Sequence, residues 1–271
     1  MKTKLYDTYE YENIVNDLLN GEVVGFPTET VYGLAIVYDN KEAFDKLYEI
    51  KNRSINKPIS MMVASVDMLS DVAYIDKRSK KVIEAFMPGA ITIILKAKED
   101  LPEFVTFKQE TIGIRIPTNE VALNILKKVN KPLLVSSANI SSEPSLIKAN
   151  DVHNKFDGLI ASLINEDAIN GISSTVVDVR DDIKIYRVGP ISKKDIEKVL
   201  KENVKELLKS AEFVIANRLN VKVDNSKKAE EIKDVELQSN IDIKKSFKEF
   251  LDTVDLKYPK ELYLDVLGGI D

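Results

Sequence analysis

Short apolar runs alternate with helical periods along the first 190 residues, and this alternation predicts an α/β fold. Val23 to Phe26 reads as a buried strand stopped by Pro27. Ala43, Phe44, Leu47 and Ile50 recur at helical spacing and predict an amphipathic helix ending near Lys51. Ile59 to Ala64 is a second apolar run, followed by a helix through Val82, Ile83 and Phe86 that Met87-Pro88-Gly89-Ala90 breaks. Ile91 to Leu95 is strongly β-branched, and Ile112 to Ile116 reads as another strand. A helical period over Val121 to Val129 precedes the strand Leu133 to Val135. Leu159 to Ile164, Thr175 to Val179 and Ile183 to Tyr186 complete the set. The last two are parted only by Arg180-Asp181-Asp182, too few residues for a parallel crossover. They predict a hairpin, and with it a mixed sheet.

Ser192 is placed to cap a helix through Ile196, Val199, Leu200 and Val204. Beyond it the pattern thins. Residues 220–246 are rich in Lys, Glu, Asp, Asn and Ser, which predicts a solvated linker or exposed helix. Phe247, Phe250, Leu251 and Val254 then give a short amphipathic stretch. The expected organisation is one domain over 1–205 and a polar C-terminal extension over 206–271.

Composition narrows the chemistry by exclusion. The 271 residues carry a net charge of −5. Residues 1–205 hold 28 basic and 30 acidic side chains, and the remainder 11 and 14. Neither part has the basic surplus that phosphate-driven nucleic-acid binding requires, so tight direct RNA binding is not expected. The absence of cysteine removes disulfides, thiolate nucleophiles and cysteine-ligated zinc. His153 is the single histidine, which rules out a histidine triad or a multi-histidine metal site, and it is expected at the surface. No run reaches membrane-spanning length and the N-terminus lacks an apolar signal core, so a cytoplasmic protein is expected.

Candidate chemistry gathers where apolar runs end. Phe26-Pro27-Thr28-Glu29-Thr30-Val31-Tyr32-Gly33 is a hydroxyl-rich turn, although threonines in such a place often bond only the turn itself. Lys51, Arg53 and Lys57 form a cation knot past a helix end. A helix dipole suffices to explain it, while the following strand favours phosphate binding. Arg115 stands inside Gly113-Ile114-Arg115-Ile116-Pro117, where a buried charge needs a partner. The choice is a solvated strand face or a substrate carboxylate. Val135-Ser136-Ser137-Ala138-Asn139 through Ser145 runs a buried strand into hydroxyl and amide groups, the usual place for a ligand in an α/β sheet. Ser173-Ser174-Thr175-Val176-Val177-Asp178 and Arg187-Val188-Gly189 repeat the same grammar.

Taken together and in order, these blocks resemble the YrdC-like threonylcarbamoyl-AMP synthase family over roughly residues 10–195. The resemblance implies a twisted mixed sheet with helices on its faces, a wide concave active site and, here, a short C-terminal appendage. It implies that L-threonine, bicarbonate and ATP give threonylcarbamoyl-AMP and pyrophosphate, for threonylcarbamoyladenosine modification of transfer RNA by a partner transferase complex. By motif match, Thr28, Arg115, Val135 and Ser174 would hold threonine, bordered by Tyr32. Arg53, Lys57, Thr111, Ser137, Ser145 and Arg187 would bind ATP. Lys51 and Asn139 would lie on the phosphate side, with Lys51 and Arg53 as the catalytic cations. Mg2+ would arrive on the ATP phosphates without protein ligands. Many relatives carry histidine where this chain has Met62, which implies weaker threonine affinity. Two other functions compete: an RNA- or ribosome-binding module, and a carbamoyl-adenylate enzyme with another acceptor.

Overall fold

A computed structural model describes residues 2–54 and 57–201. The chain opens with β1 (Lys4–Tyr6), α1 (Tyr11–Leu19), β2 (Val24–Phe26), β3 (Gly33–Val37) and α2 (Lys41–Ile50). It continues through β4 (Ser60–Met62), α3 (Val66–Val72), β5 (Ala73–Tyr74), α4 (Lys77–Phe86) and β6 (Ile91–Ala97). Then come α5 (Glu103–Thr106), β7 (Thr111–Arg115), α6 (Glu120–Val129), β8 (Leu133–Ser137) and α7 (Ala149–Phe156). β9 (Ser162–Ile164), β10 (Thr175–Asp178) and β11 (Lys184–Arg187) follow. Side-chain caps fix several helix starts, as expected for orphan N–H groups. Asn40 accepts from Ala43 N ahead of α2, Asp76 from Arg78 N and Ser79 N ahead of α4, and Asn119 from Ala122 N ahead of α6. Ser192 accepts from Asp195 N at 3.2 Å, as its predicted capping role requires. The reading of 206–271 as an extension, and the remainder of the helix that Ser192 starts, lie outside the described residues.

All the strands join one sheet in the order β1-β9-β2-β3-β8-β4-β7-β6-β10-β11, with β5 paired to the far end of β6. The sheet is mixed: β4 runs parallel to β7 and β6 to β10, whereas β3, β8 and β4 pair antiparallel. β10 and β11 form the expected antiparallel hairpin. Alternation sorts the side chains between the two faces. On one face Val24, Phe26, Ala35, Val37, Met62, Leu133 and Val135 meet Ile14, Val15 and Leu18 of α1 and Ile125, Leu126 and Val129 of α6 in a buried core. Each of the larger of these side chains contributes about 1.5–3 kcal/mol by leaving water. Helices α1 and α6 cover only part of this face. Beside them the rows Thr92–Ile94–Lys96 of β6 and Thr111–Gly113–Arg115 of β7 continue it, with Thr92 opposite Arg115 by register. The candidate site lies there.

Candidate active site

The hydroxyl turn is built by its own bonds. Pro27 stops β2, and β3 returns antiparallel from Gly33. Between them Thr28 Oγ1 donates to Val31 O at 2.7 Å, accepts from Thr30 N at 3.1 Å and lies 2.9 Å from Thr30 Oγ1. The turn is stitched from outside by Ile169 N to Thr28 O and Gly171 N to Thr30 O. Tyr32 is fully buried and its phenol donates to Ile164 O, while burial raises its pKa. Gly33 is required by space: a Cβ there would stand 2.8 Å from Val135 Cγ1.

Arg115 is 5% exposed, so the solvated-face alternative fails. Its Nε donates to Gly89 O at 3.2 Å and its Nη1 to Thr30 Oγ1 at 2.9 Å. Nη2 lies 2.6 Å from Glu29 Oε1. That last approach is a charge contact without hydrogen-bond alignment, since both Glu29 oxygens and Nη2 lack an aligned partner. Sequence reasoning passed over Glu29. The signal was available: an acid between two turn hydroxyls and an arginine inside an apolar strand are two isolated charges, each needing an opposite one.

Ser174 and Arg187 arrive from the end of the domain. Parallel pairing of β10 with β6 brings Ser174 Oγ within 2.8 Å of Thr92 Oγ1. Arg187 Nε donates to Ser174 O and Nη2 to Ser174 Oγ, both at 2.9 Å. Gly189 makes this possible, because a Cβ there would lie 2.4 Å from Ser173 O and Thr175 N. The guanidinium pKa of Arg187 is lowered by burial first, then by the charges of Arg115 and Arg53.

Lys51, expected as a catalytic cation, is wholly buried and does not line the hollow. It caps α2, and its ammonium donates to Ser137 O, to Asn139 O at 2.6 Å and to Asn139 Oδ1 at 3.0 Å. Lys51 O in turn accepts from Ser141 N. It therefore positions the 137–141 loop. Burial, and secondarily Arg53, bring its pKa down to about 7. The three acceptors oppose that, since only the ammonium has three protons to give. Asn139 is spent in the same loop, receiving Ser137 Oγ and donating to Glu143 O.

Arg53 does line the hollow, with Nε on Lys57 O and Nη2 on Pro58 O. Thr28, Tyr32, Arg115, Val135, Ser137, Ser174 and Arg187 join it, so eight of the expected residues converge. Lys57, Thr111, Asn139 and Ser145 do not line it. Thr111 shares the open face of β7 but stands four residues, about 13 Å, from Arg115. Lys57 is exposed. The sequence reading missed several lining residues, among them Thr30, Ser60, Thr92 and Ser173. Met62, anticipated as a departure from the family pattern, is in the wall opposite Arg115 in the β4–β7 register.

The hollow is open to solvent, and the empty space within its lining, open solvent included, is about 670 Å3. Among the described residues three arginines line it, and no carboxylate does. Among the described residues no group of three His, Cys, Asp or Glu side chains could hold a metal ion, and no helix is long and apolar enough to cross a membrane. Guanidinium and hydroxyl groups converging on one concavity can hold anionic, oxygen-rich ligands.

The Sua5/YciO/YrdC family model, described as "Telomere recombination", matches residues 16–189. The chain belongs to this family. It is 38% identical over 187 residues to threonylcarbamoyl-AMP synthase of Bacillus subtilis, covering 68% of this chain and 54% of that protein. It is 33% identical over 185 residues to the synthase of Pyrococcus abyssi, covering 67% and 54%. The chain thus spans about half the length of these two Sua5/YciO/YrdC proteins. In three dimensions it is similar to P. abyssi Sua5 complexed with L-threonine, with a TM-score of 0.69 and 29% identity over 73% of this chain and 61% of that one. E. coli YciO shares the family fold, with a TM-score of 0.65 at 21% identity over 72% of this chain and 98% of that one.

Proposed function

We propose that this chain is an L-threonylcarbamoyladenylate synthase, acting on L-threonine, bicarbonate and ATP. The observation that carries the reading is the hollow itself: three arginines and the hydroxyls of Thr28, Thr30, Ser137 and Ser174 around one cavity, with no acid among the described residues of its lining. The relatives named threonylcarbamoyl-AMP synthase and the 29% identical L-threonine complex support the same reading.

In this reading Arg115 takes the carboxylate of threonine beside Thr28 and Ser174, with Val135 and Tyr32 at the edge of the subsite. Arg53 and Arg187 face the triphosphate, with Ser137. Lys57, Thr111 and Ser145 lie outside the hollow and would meet only the far parts of ATP. Lys51 and Asn139 act through the loop they hold, not by touching substrate. The threonine amine condenses with bicarbonate to a carbamate, releasing water. A carbamate oxygen then attacks the α-phosphorus, and the bond to the β-phosphate oxygen breaks to release pyrophosphate. No protein nucleophile is called for, and the residues supply orientation and charge. A lining of guanidinium and hydroxyl groups fits Mg2+ carried by the ATP phosphates rather than held by side chains. Bound there, Mg2+ would neutralise part of the phosphate charge. Delivery of the product to transfer RNA by a transferase complex belongs to the same reading.

Incubating the purified chain with ATP, bicarbonate and L-threonine should yield threonylcarbamoyl-AMP by mass spectrometry, with threonine-dependent pyrophosphate release. Pyrophosphate released equally without threonine would move the assignment to a carbamoyl-adenylate enzyme with another acceptor.

A further inference from the structure

The carboxylate of Glu29 sits one layer behind the hollow, and the function proposed above gives it no role. We propose that Glu29 is a positioning residue for substrate selection. Paired behind Arg115, it fixes which N–H groups of that guanidinium face the ligand and offsets its charge, so that the subsite takes a carboxylate in preference to a phosphate. This deepens, and rests on, the reading of Arg115 as the partner of the amino-acid carboxylate.

A guanidinium has five N–H groups. On Arg115 one goes to Gly89 O and one to Thr30 Oγ1, and Nη2 stands against Glu29. Nη2 is buried and makes no aligned hydrogen bond, so Glu29 holds that edge by charge alone and Nη1 keeps one N–H that the protein does not use. Without Glu29 the Nη2 edge loses the charge that holds it, and the fork is free to turn. The charge balance points the same way. Arg53, Arg115 and Arg187 share a lining without acids among the described residues. Glu29, 7% exposed, is the carboxylate that touches Arg115, and neither of its oxygens has an aligned hydrogen bond to any other group. Arg115 therefore presents a compensated charge. Arg187 rests on Ser174 O and Oγ, and Arg53 on Lys57 O and Pro58 O, all neutral oxygens. A polyanion is drawn toward those two and away from Arg115. A buried ion pair with a purely structural role would weaken all ligands together when broken. A selecting role shifts two ligands in opposite directions.

The test uses the full chain with Glu29→Gln, which keeps shape and removes charge, and titration calorimetry with L-threonine and, separately, inorganic pyrophosphate. Thermal unfolding checks the fold. The expected result is threonine affinity lowered about 10- to 100-fold, the size of one charge-assisted contact, with pyrophosphate affinity raised severalfold. Unchanged threonine affinity in a folded variant, or both affinities falling together, would overturn the proposal. If the wild type binds no threonine, the amino-acid reading fails, and the pyrophosphate arm still decides the selection: tighter binding in Glu29→Gln upholds it and unchanged binding overturns it. Should that variant not fold, Glu29→Asp carries the test. Weaker threonine binding at unaltered pyrophosphate affinity supports the proposal, and wild-type threonine affinity sinks it.

Discussion

Arg115 and Arg53 line the same hollow and are held in opposite ways. Arg115 is sunk in β7, almost without solvent, and braced by a carbonyl, a hydroxyl and a carboxylate. Arg53 is half-buried past the end of α2 and leans on two carbonyls of its own loop. The first arrangement sets a carboxylate against the guanidinium, and the second sets only neutral oxygens against it. One hollow can thus offer a fixed seat for a small monoanion beside a looser grip for a polyphosphate.

The difference is broken most severely by Arg115→Ala. Threonine-dependent pyrophosphate release should fall at least about 100-fold in kcat/KM for threonine, with a much smaller change in the KM for ATP. The variant should also lose about 3–5 kcal/mol of stability, because Glu29 is left buried and alone. Chemical unfolding reads that loss. Arg53→Ala should act in the other direction, raising the KM for ATP about 10- to 100-fold while unfolding changes little. A variant in which both KM values rose equally would mean that the two cations serve one subsite.

Lys51→Met sharpens the comparison on the open side, since it frees the loop carrying Ser137 and Asn139. Activity should drop about tenfold. The pH dependence has a definite sign. With a folded-state pKa near 7 against 10.5 unfolded, the unfolded chain binds more protons between those values. The cost of burying this ammonium is therefore full below pH 7 and is relieved as pH rises above it. Stability of the wild type relative to Lys51→Met should climb from pH 7 toward pH 10, measured by denaturant unfolding. A flat difference would mean that the three carbonyl acceptors hold the proton throughout. The smallest expected effect on ATP is that of Gly189→Ala, which should also cost stability because the clash is with backbone. The new methyl cannot fit against Ser173 O and Thr175 N, so Arg187 should shift from Ser174 and the KM for ATP should rise a fewfold.

Much of the sheet was legible because its signals are local. The β10–β11 hairpin follows from a three-residue gap, and β6 from its β-branched run. β3 went unread because its apolar residues follow directly on the hydroxyl turn. β1 and β5 are too short, at three and two residues, to give a pattern. Within the site, residue types at strand ends located Thr28, Arg115, Ser137, Ser174 and Arg187 correctly in one hollow. Sequence could not say which cations point inward. Lys51 and Arg53 stand two apart, yet the helix end sends one under a loop and the other into the cavity. Nor could it pair Glu29 with Arg115, since that contact spans 86 residues and depends on the register that sets β4 between β7 and β8.

The pairing of β10 with β6 has a consequence for how the site comes into being. Ser174 and Arg187 supply one wall of the hollow, and they are among the last parts of the domain to leave the ribosome. Until that hairpin zips onto a strand made some eighty residues earlier, the nascent chain carries a threonine turn and a buried arginine facing an unfinished trough. Ligand-competent protein therefore exists only after the closing hairpin is laid down, and premature termination upstream of it yields product without a site.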